Sequence, residues 1–370
     1  MIGVLHAYSR TNRGDGLLVD LTLKRLRRCG IMPGDVALVA LDPGSFADLP
    51  HRVGVGTHRR GFGWELAPAA ARSALLGSSA LVRRPLGALA REIAACDALV
   101  AVGGGYLRAV DAVSSLGTGL NHLPQLLAAS RARIASLYLP QSIGPLRGPV
   151  GSAVRRALRG IGAVCVRDPW SECELGRLPN VRRVADLAVL DLAESFERVE
   201  RVAPGGRVGF VARHVGHVGG YEDVVLAVAR DVGDRAVWAV QTAGDRTKSD
   251  AVHYERLGVV PGDRLEKLLD ARDLSLVVSV RLHGALMSLR AGVPAIHLAY
   301  DRKGPGAFAD LGLDEWCFDL RAIDRDRLRD AIDELSTDPA PYWTLVEDRL
   351  PGLRDASERL DSLVRATLSA

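Results

Sequence analysis

Leu274-Ser275-Leu276-Val277-Val278-Ser279-Val280-Arg281-Leu282-His283-Gly284-Ala285-Leu286 is the stretch whose reading decides the fold. Its first seven residues are apolar and partly β-branched, with two serines, as in a strand covered on both faces. A tight turn and a helix-like run, Ala285 to Ala291, follow, and Gly292 closes them. A buried strand that feeds a helix is the unit of an α/β protein with a parallel sheet. In such sheets ligands bind outside the carboxyl ends of the strands, where helix N-termini favour anions. Arg281 and His283 fall at that spot. They are one fixed cation and one group that titrates near neutrality.

The same pattern recurs on both sides of this stretch. Upstream, Ile2 to His6 reads as a strand, Leu17 to Arg28 as a helix stopped by Gly30, and Val36 to Leu41 as a second strand. The loop between the first strand and its helix, Ser9 to Gly16, carries two glycines and Asp15 but no GxGxxG, so it is no dinucleotide fingerprint. Ala98 to Val102 ends in Gly103-Gly104-Gly105, read as a strand end where backbone approaches a ligand or a neighbour. Ile134 to Leu139 ends in Pro140-Gln141, Ala163 to Val166 in Arg167-Asp168, and Val181 to Ala185 in Asp186. Polar residues at successive strand ends are how a doubly wound domain lines a binding crevice.

The charged run from Asp191 to Gly206 reads as a linker. A second series then begins with Val208 to Ala212, ending in Arg213-His214, and continues with Ala236 to Val240, ending in Gln241-Thr242. Asp263 to Asp270 reads as a helix and Pro294 to Leu298 as a strand, followed by Ala299 to Gly304. Tyr342 to Leu368 reads as one or two terminal helices. The expected architecture is α/β, two Rossmann-like domains facing a cleft. The expected bounds are 1–200 (acceptor side), 207–340 (donor side) and a helical segment 341–370.

Bulk properties narrow the function classes. A chain of 370 residues exceeds one ordinary core. Apolar residues make up 48% and charged residues 25%, the balance of a soluble globular protein. The net charge of +4 is small and its cations are dispersed, which argues against nucleic acid as the main partner. Five scattered cysteines, Cys29, Cys96, Cys165, Cys173 and Cys317, form no CxxC pair and fit a reducing compartment. The N-terminal residues have no basic leader and no long apolar region, so no signal peptide is expected, and no apolar run reaches the ~20 residues of a membrane span. A cytoplasmic protein is expected. Arg83, Arg84, Arg155 and Arg156 are basic pairs of the kind an anionic membrane surface attracts, read here as a solvated face. The segment Asp42 to Arg72 is rich in Gly, Pro, His and Arg, with weak periodicity and a short strand near Val53.

Arg213, Arg281 and Lys303, at or just past strand ends, suit a small polyanion with phosphate and carboxylate groups. Arginine grips planar oxyanions with two N–H groups, and lysine adds a compact charge. His283 is placed to give or take a proton. Asp15 fits a helix cap or a base. His214, His217, His253 and His297 read as structural or surface residues. No spacing suggests metal ligation, so no metal and no cofactor are expected.

Taken together these motifs resemble the polysaccharide pyruvyl transferase family. The matching pieces are Asn12-Arg13-Gly14-Asp15, Gly103-Gly104-Gly105, Gln141-Ser142-Ile143-Gly144-Pro145 and Val166-Arg167-Asp168. They continue with Ala212-Arg213, Arg281-Leu282-His283-Gly284, and Gly292-Val293-Pro294 followed by Tyr300-Asp301-Arg302-Lys303. Pro140-Gln141 stands where the family usually has Gly-Gln. The resemblance implies a glycosyltransferase-B-like fold. It also implies transfer of pyruvate from phosphoenolpyruvate onto two hydroxyls of a sugar, free or lipid-linked, in a cell-surface glycan. Carried over, Arg213, Arg281 and Lys303 hold the donor, and His283 is an acid or base. Asp15 is the acidic residue near the acceptor, and Arg167 is a looser catalytic match. Asn12, Gly104 and Gln141 fall on the acceptor side. Two rival readings are a nucleotide-sugar-dependent glycosyltransferase on the same frame and a binding-only relative.

Overall fold

A computed structural model describes residues 1–55, 89–216, 218–242 and 249–370. His217, Arg83, Arg84 and residues 56–72 of the Gly- and His-rich segment lie outside the described residues. The chain forms two compact units: 1–10, 15–187 and 358–370 make the first, and 11–14 and 188–357 the second. This differs from the linear division read from the sequence. Residues 358–370 group with the first unit, where Asp361 and Arg25 form a largely buried ion pair.

Among the described residues, the first unit is built on eight strands, all paired in parallel. They are β1 (Ile2–Ala7), β2 (Val36–Ala40), β3 (His51–Gly54), β4 (Ala98–Ala101), β5 (Gly104–Ala109), β6 (Ala135–Leu146), β7 (Ala163–Val166) and β8 (Val181–Arg183). The order is β3-β2-β1-β4-β6-β7-β8, with β5 paired to β6. Every residue of β1, β2, β4 and β7 is buried, as their continuous apolar runs require when helices cover both faces. Helix α1 (Arg13–Arg28) ends before Gly30, whose φ of 85° is the left-handed stop that glycine supplies most cheaply.

Two local expectations change here. Gly104, read only as part of a strand end, also opens a further strand, β5, because it pairs with Gln141 and starts a ladder that runs to Ala109. Strand β6 accordingly runs past Pro140 to Leu146.

Among its described residues, the second unit holds six parallel strands: β9 (Arg207–Val211), β10 (Ala236–Val240), β11 (Pro261–Arg264), β12 (Leu274–Ser279), β13 (Ala295–Ala299) and β14 (Cys317–Asp319). Their order, β11-β10-β9-β12-β13-β14, is the doubly wound dinucleotide-fold order 3-2-1-4-5-6. The connecting helices that matter below are α2 (Tyr221–Val232), α3 (Asp250–Arg256), α4 (Leu282–Arg290) and α5 (Lys303–Asp310). A terminal helix, α6 (Ala340–Leu368), is one continuous element with Pro351 inside it. The buried Tyr342 hydroxyl donates to Ala295 O at 2.8 Å and accepts from Ala295 N at 3.2 Å, which ties α6 to the start of β13.

The charged linker read from Asp191 instead begins inside a helix, Leu187–Ser195. Leu187, Ala188, Val189, Leu190, Leu192 and Ala193 are all buried, and their apolar run outweighs the flanking charges. The helix read from Asp263 starts at Leu265, because Pro261 and Arg264 pair with Trp238 and Val240 as an edge strand. Proline is tolerated at such an edge. Among the described residues, no helix is long and apolar enough to cross a membrane.

Candidate active site

In the second unit, strand order brings the expected donor residues together. Arg213 follows β9, Arg281 and His283 follow β12, and Lys303 follows β13. These three strands are neighbours in the sheet, and β9 and β12 flank the point where strand order reverses. A doubly wound sheet opens its binding crevice at that switch point.

Arg281 caps α4 with extended backbone, φ −97° and ψ 116°. Ser279 Oγ fixes that turn: it accepts from Arg281 N at 3.1 Å and donates to Arg281 O at 2.8 Å. The guanidinium reaches the first residue of α3. Its Nε donates to Asp250 Oδ1 at 3.1 Å, and a terminal nitrogen donates to the same oxygen. The Asp250 side chain is fully buried, and its other oxygen accepts from Gln241 N at 3.0 Å and Thr242 N at 2.7 Å. One carboxylate thus secures the end of β10 and aligns the arginine. A buried carboxylate needs this many partners to offset its desolvation.

His283 lies in the first turn of α4 and is half-buried. Two glycines make room around this turn. A Cβ on Gly14 would stand 2.9 Å from His283 Nδ1, and a Cβ on Gly284 would stand 2.5 Å from Gln241 Oε1. Beneath them His297 is buried, with Nδ1 2.8 Å from Ser279 O. A carbonyl only accepts, so Nδ1 carries the proton. Burial, the largest influence, lowers the His297 pKa to about 4 and keeps the ring neutral.

Arg213 donates to the Tyr300 hydroxyl at 3.2 Å, with its guanidinium carbon 5.5 Å from that ring's centroid. The buried Tyr221 hydroxyl donates to Arg213 O and lies within the fields of both Arg213 and Arg281. Tyr254 accepts from Ala212 N at 3.0 Å and donates to Ala239 O at 2.8 Å, so it bridges the ends of β9 and β10. Lys303 begins α5, and its ammonium is 3.5 Å from Asp301 Oδ2. That pair is partly exposed and weak. Asn12 belongs to this unit too. It bridges to Thr242, and its Oδ1 accepts from Gly14 N at 3.2 Å.

The remaining expected residues lie in the first unit. Gly104 and Gln141 are direct partners across β5 and β6, and Gln141 is fully buried. Arg167 N donates to Gln141 O at 3.1 Å. The Arg167 side chain is 3% exposed, ion-paired to fully buried Asp186, and donates to Ser142 Oγ at 3.1 Å. Asp15 is half-buried in the first turn of α1.

One further cluster, at the end of β1, carries little signal in the linear order. The His6, Tyr106 and His122 rings stack at 4.7 Å per step, and His6 Nε2 is 2.9 Å from the Tyr138 hydroxyl. His6 holds a left-handed φ of 65°, a strained state for a residue other than glycine. Asp250, Tyr221 and Tyr300 also received no role from the sequence. Asp250 precedes Arg281 by 31 residues, and Ser249-Asp250 reads only as a helix start.

A family model described as polysaccharide pyruvyl transferase matches residues 12–302. The chain belongs to that family. It is therefore a transferase, a pyruvyl transferase of polysaccharide biosynthesis. No curated protein matches it. Among solved structures, UDP-GlcNAc 2-epimerase from Neisseria meningitidis bound to UDP-GlcNAc superposes with a TM-score of 0.57. It is 11% identical, and the match covers 98% of this chain and 99% of that one. Phytolacca americana UGT2, complexed with UDP-2fluoro-glucose and pterostilbene, gives a TM-score of 0.52 at 15% identity, covering 100% of this chain and 99% of that one. These likenesses show the fold: this pyruvyl transferase shares the GT-B architecture of glycosyltransferases and epimerases.

Proposed function

We propose that the protein moves the pyruvyl group of phosphoenolpyruvate onto two hydroxyls of one sugar, in a cell-surface glycan or its lipid-linked precursor, and releases phosphate in the cytoplasm. The observation that carries this reading is the placement of Arg213, Arg281 and Lys303 on three adjacent strand ends, with His283 in the same turn as Arg281. A donor bearing both a phosphate and a carboxylate needs several cations, and two of these residues stand at helix starts that favour anions.

The chemistry assigns each group a task. Protonation of the donor's methylene carbon turns it into a methyl group and makes the neighbouring carbon electrophilic. One sugar hydroxyl adds to that carbon. The second hydroxyl then displaces phosphate and closes the cyclic ketal. Of the two hydroxyl protons, one balances the proton taken up by carbon and the other leaves with phosphate. His283 supplies the proton to carbon or assists phosphate departure, and Asp15 accepts a hydroxyl proton. Arg281, aligned by Asp250, and Arg213, steadied on Tyr300, stabilise the charge on the departing phosphate. Asn12, Gly104 and Gln141 serve the acceptor, and Arg167 supports the strand end beside Gln141.

The test is a thermal-shift comparison of phosphoenolpyruvate with a panel of nucleotide sugars, followed by phosphate release with glycan acceptors and mass spectrometry of the product. Stabilisation by phosphoenolpyruvate and a pyruvate ketal on the glycan are expected. Stabilisation by a nucleotide sugar alone, with glycosyl transfer, would overturn the reading.

A further inference from the structure

Beside the strand ends described above, the second unit gathers three groups that share no motif. His214 follows Arg213, Glu222 lies in the first turn of α2, and His253 lies in α3. Glu222 Oε1 is 3.6 Å from His214 Nδ1 and 3.9 Å from His253 Nε2. The three ligand atoms lie within 4.8 Å of one another. His253 is only 7% exposed, and its Nε2 is screened from solvent with no hydrogen-bond partner among the described residues. The 3.9 Å separation from Glu222 is too long for a hydrogen bond. A buried polar atom without a partner is costly, so this nitrogen calls for an explanation. Burial, the largest influence on His253, lowers its pKa and favours the neutral ring that binds metals.

We propose that His214, Glu222 and His253 bind a divalent transition metal of the zinc class. Two imidazoles and a carboxylate are a known three-ligand zinc set, with a fourth position left to water. Bonds of about 2.0–2.2 Å at tetrahedral angles put ligand atoms about 3.3–3.5 Å apart. The observed separations close to that by small movements, and the His214 side chain, 66% exposed, has room to make them. Imidazole ligands disfavour magnesium and calcium, which take oxygen ligands. The metal ties the segment carrying Arg213 to α3, whose first residue anchors Arg281. His253 follows Asp250 by three residues and so shares its helix face. The site stands on its own ligands and does not rest on the pyruvyl-transfer reading.

The full-length protein, stripped with a chelator, is titrated with zinc chloride by calorimetry and with cobalt(II) by visible absorption. One equivalent of zinc is expected to bind. His214→Ala and Glu222→Gln should each weaken binding about tenfold or more, whereas His51→Ala, at an exposed histidine elsewhere, should leave it unchanged. The cobalt spectrum should have tetrahedral intensity and no sulfur-to-metal charge-transfer band, which separates this site from the five cysteines. Failure to bind one equivalent, or unchanged binding in both His214→Ala and Glu222→Gln, would overturn the proposal. Both variants alter side chains outside the core, so circular dichroism can confirm their fold before titration.

Discussion

Asp250 and Arg281 form a buried pair in which one carboxylate oxygen takes two guanidinium N–H groups while the other closes the end of β10. The arginine is therefore aligned before any ligand arrives. Asp250→Asn should lower stability by about 3–5 kcal/mol, because it leaves a buried guanidinium without its counter-charge. Arg281→Lys keeps the charge and loses the planar fork. It should retain the fold yet raise the KM for phosphoenolpyruvate at least tenfold. Steady-state kinetics with thermal melts checks both, and an unchanged KM in Arg281→Lys would remove this residue from the donor site.

Gly14 gives the imidazole of His283 its space. Gly14→Ala would place a methyl group 2.9 Å from Nδ1 and 3.1 Å from the His283 Cβ, so the ring must shift. Turnover should fall while the melting temperature stays nearly constant. His283→Gln should cost about a hundredfold or more in turnover, the range for loss of a general acid. If either variant turned over phosphoenolpyruvate at the native rate, His283 would not be the acid.

Arg167 and Asp186 are both buried and paired. Arg167→Ala should destabilise the fold by about 3–5 kcal/mol through the stranded carboxylate. Chemical denaturation measures this. A stable variant with abolished turnover would instead assign Arg167 directly to catalysis.

His122 and His297 both have pKa values lowered to about 4 by burial. The unfolded chain takes up their protons near pH 6.5, while the folded protein resists until about pH 4. The stability they contribute is therefore complete above pH 6.5 and is lost as pH falls towards 4. Each should steepen the loss by up to about 1.4 kcal/mol per pH unit in that window. Urea unfolding at pH 7.5 and pH 5 should show the decline, and His297→Asn should make it shallower.

Much of this protein was legible in its linear order. The apolar runs at Ile2, Ala98, Val208 and Leu274 announce buried parallel strands, because a strand covered on both faces has no polar side to show. Arg213, Arg281, His283 and Lys303 stand just past strand ends, the last two already in the helices that follow, and that placement followed from the β-α alternation alone. Periodicity is a local property, so it also explains the errors. Pro261 to Arg264 is a strand only because Trp238 and Val240 pair with it. Strand β5 forms only because Gly104 and Ala109 lie across from Gln141 and Leu146.

By itself, the amino-acid order determined the two α/β units and the chemical character of the residues at their strand ends. Tertiary structure alone decided which of those residues stand together. It joined Asp250 to Arg281, Gly14 to His283, and His214 to Glu222 and His253, across separations no motif spans. The physical reason is that strand neighbours are chosen by parallel pairing through long crossovers, so contacts at the sheet's carboxyl edge bear no fixed relation to distance along the chain.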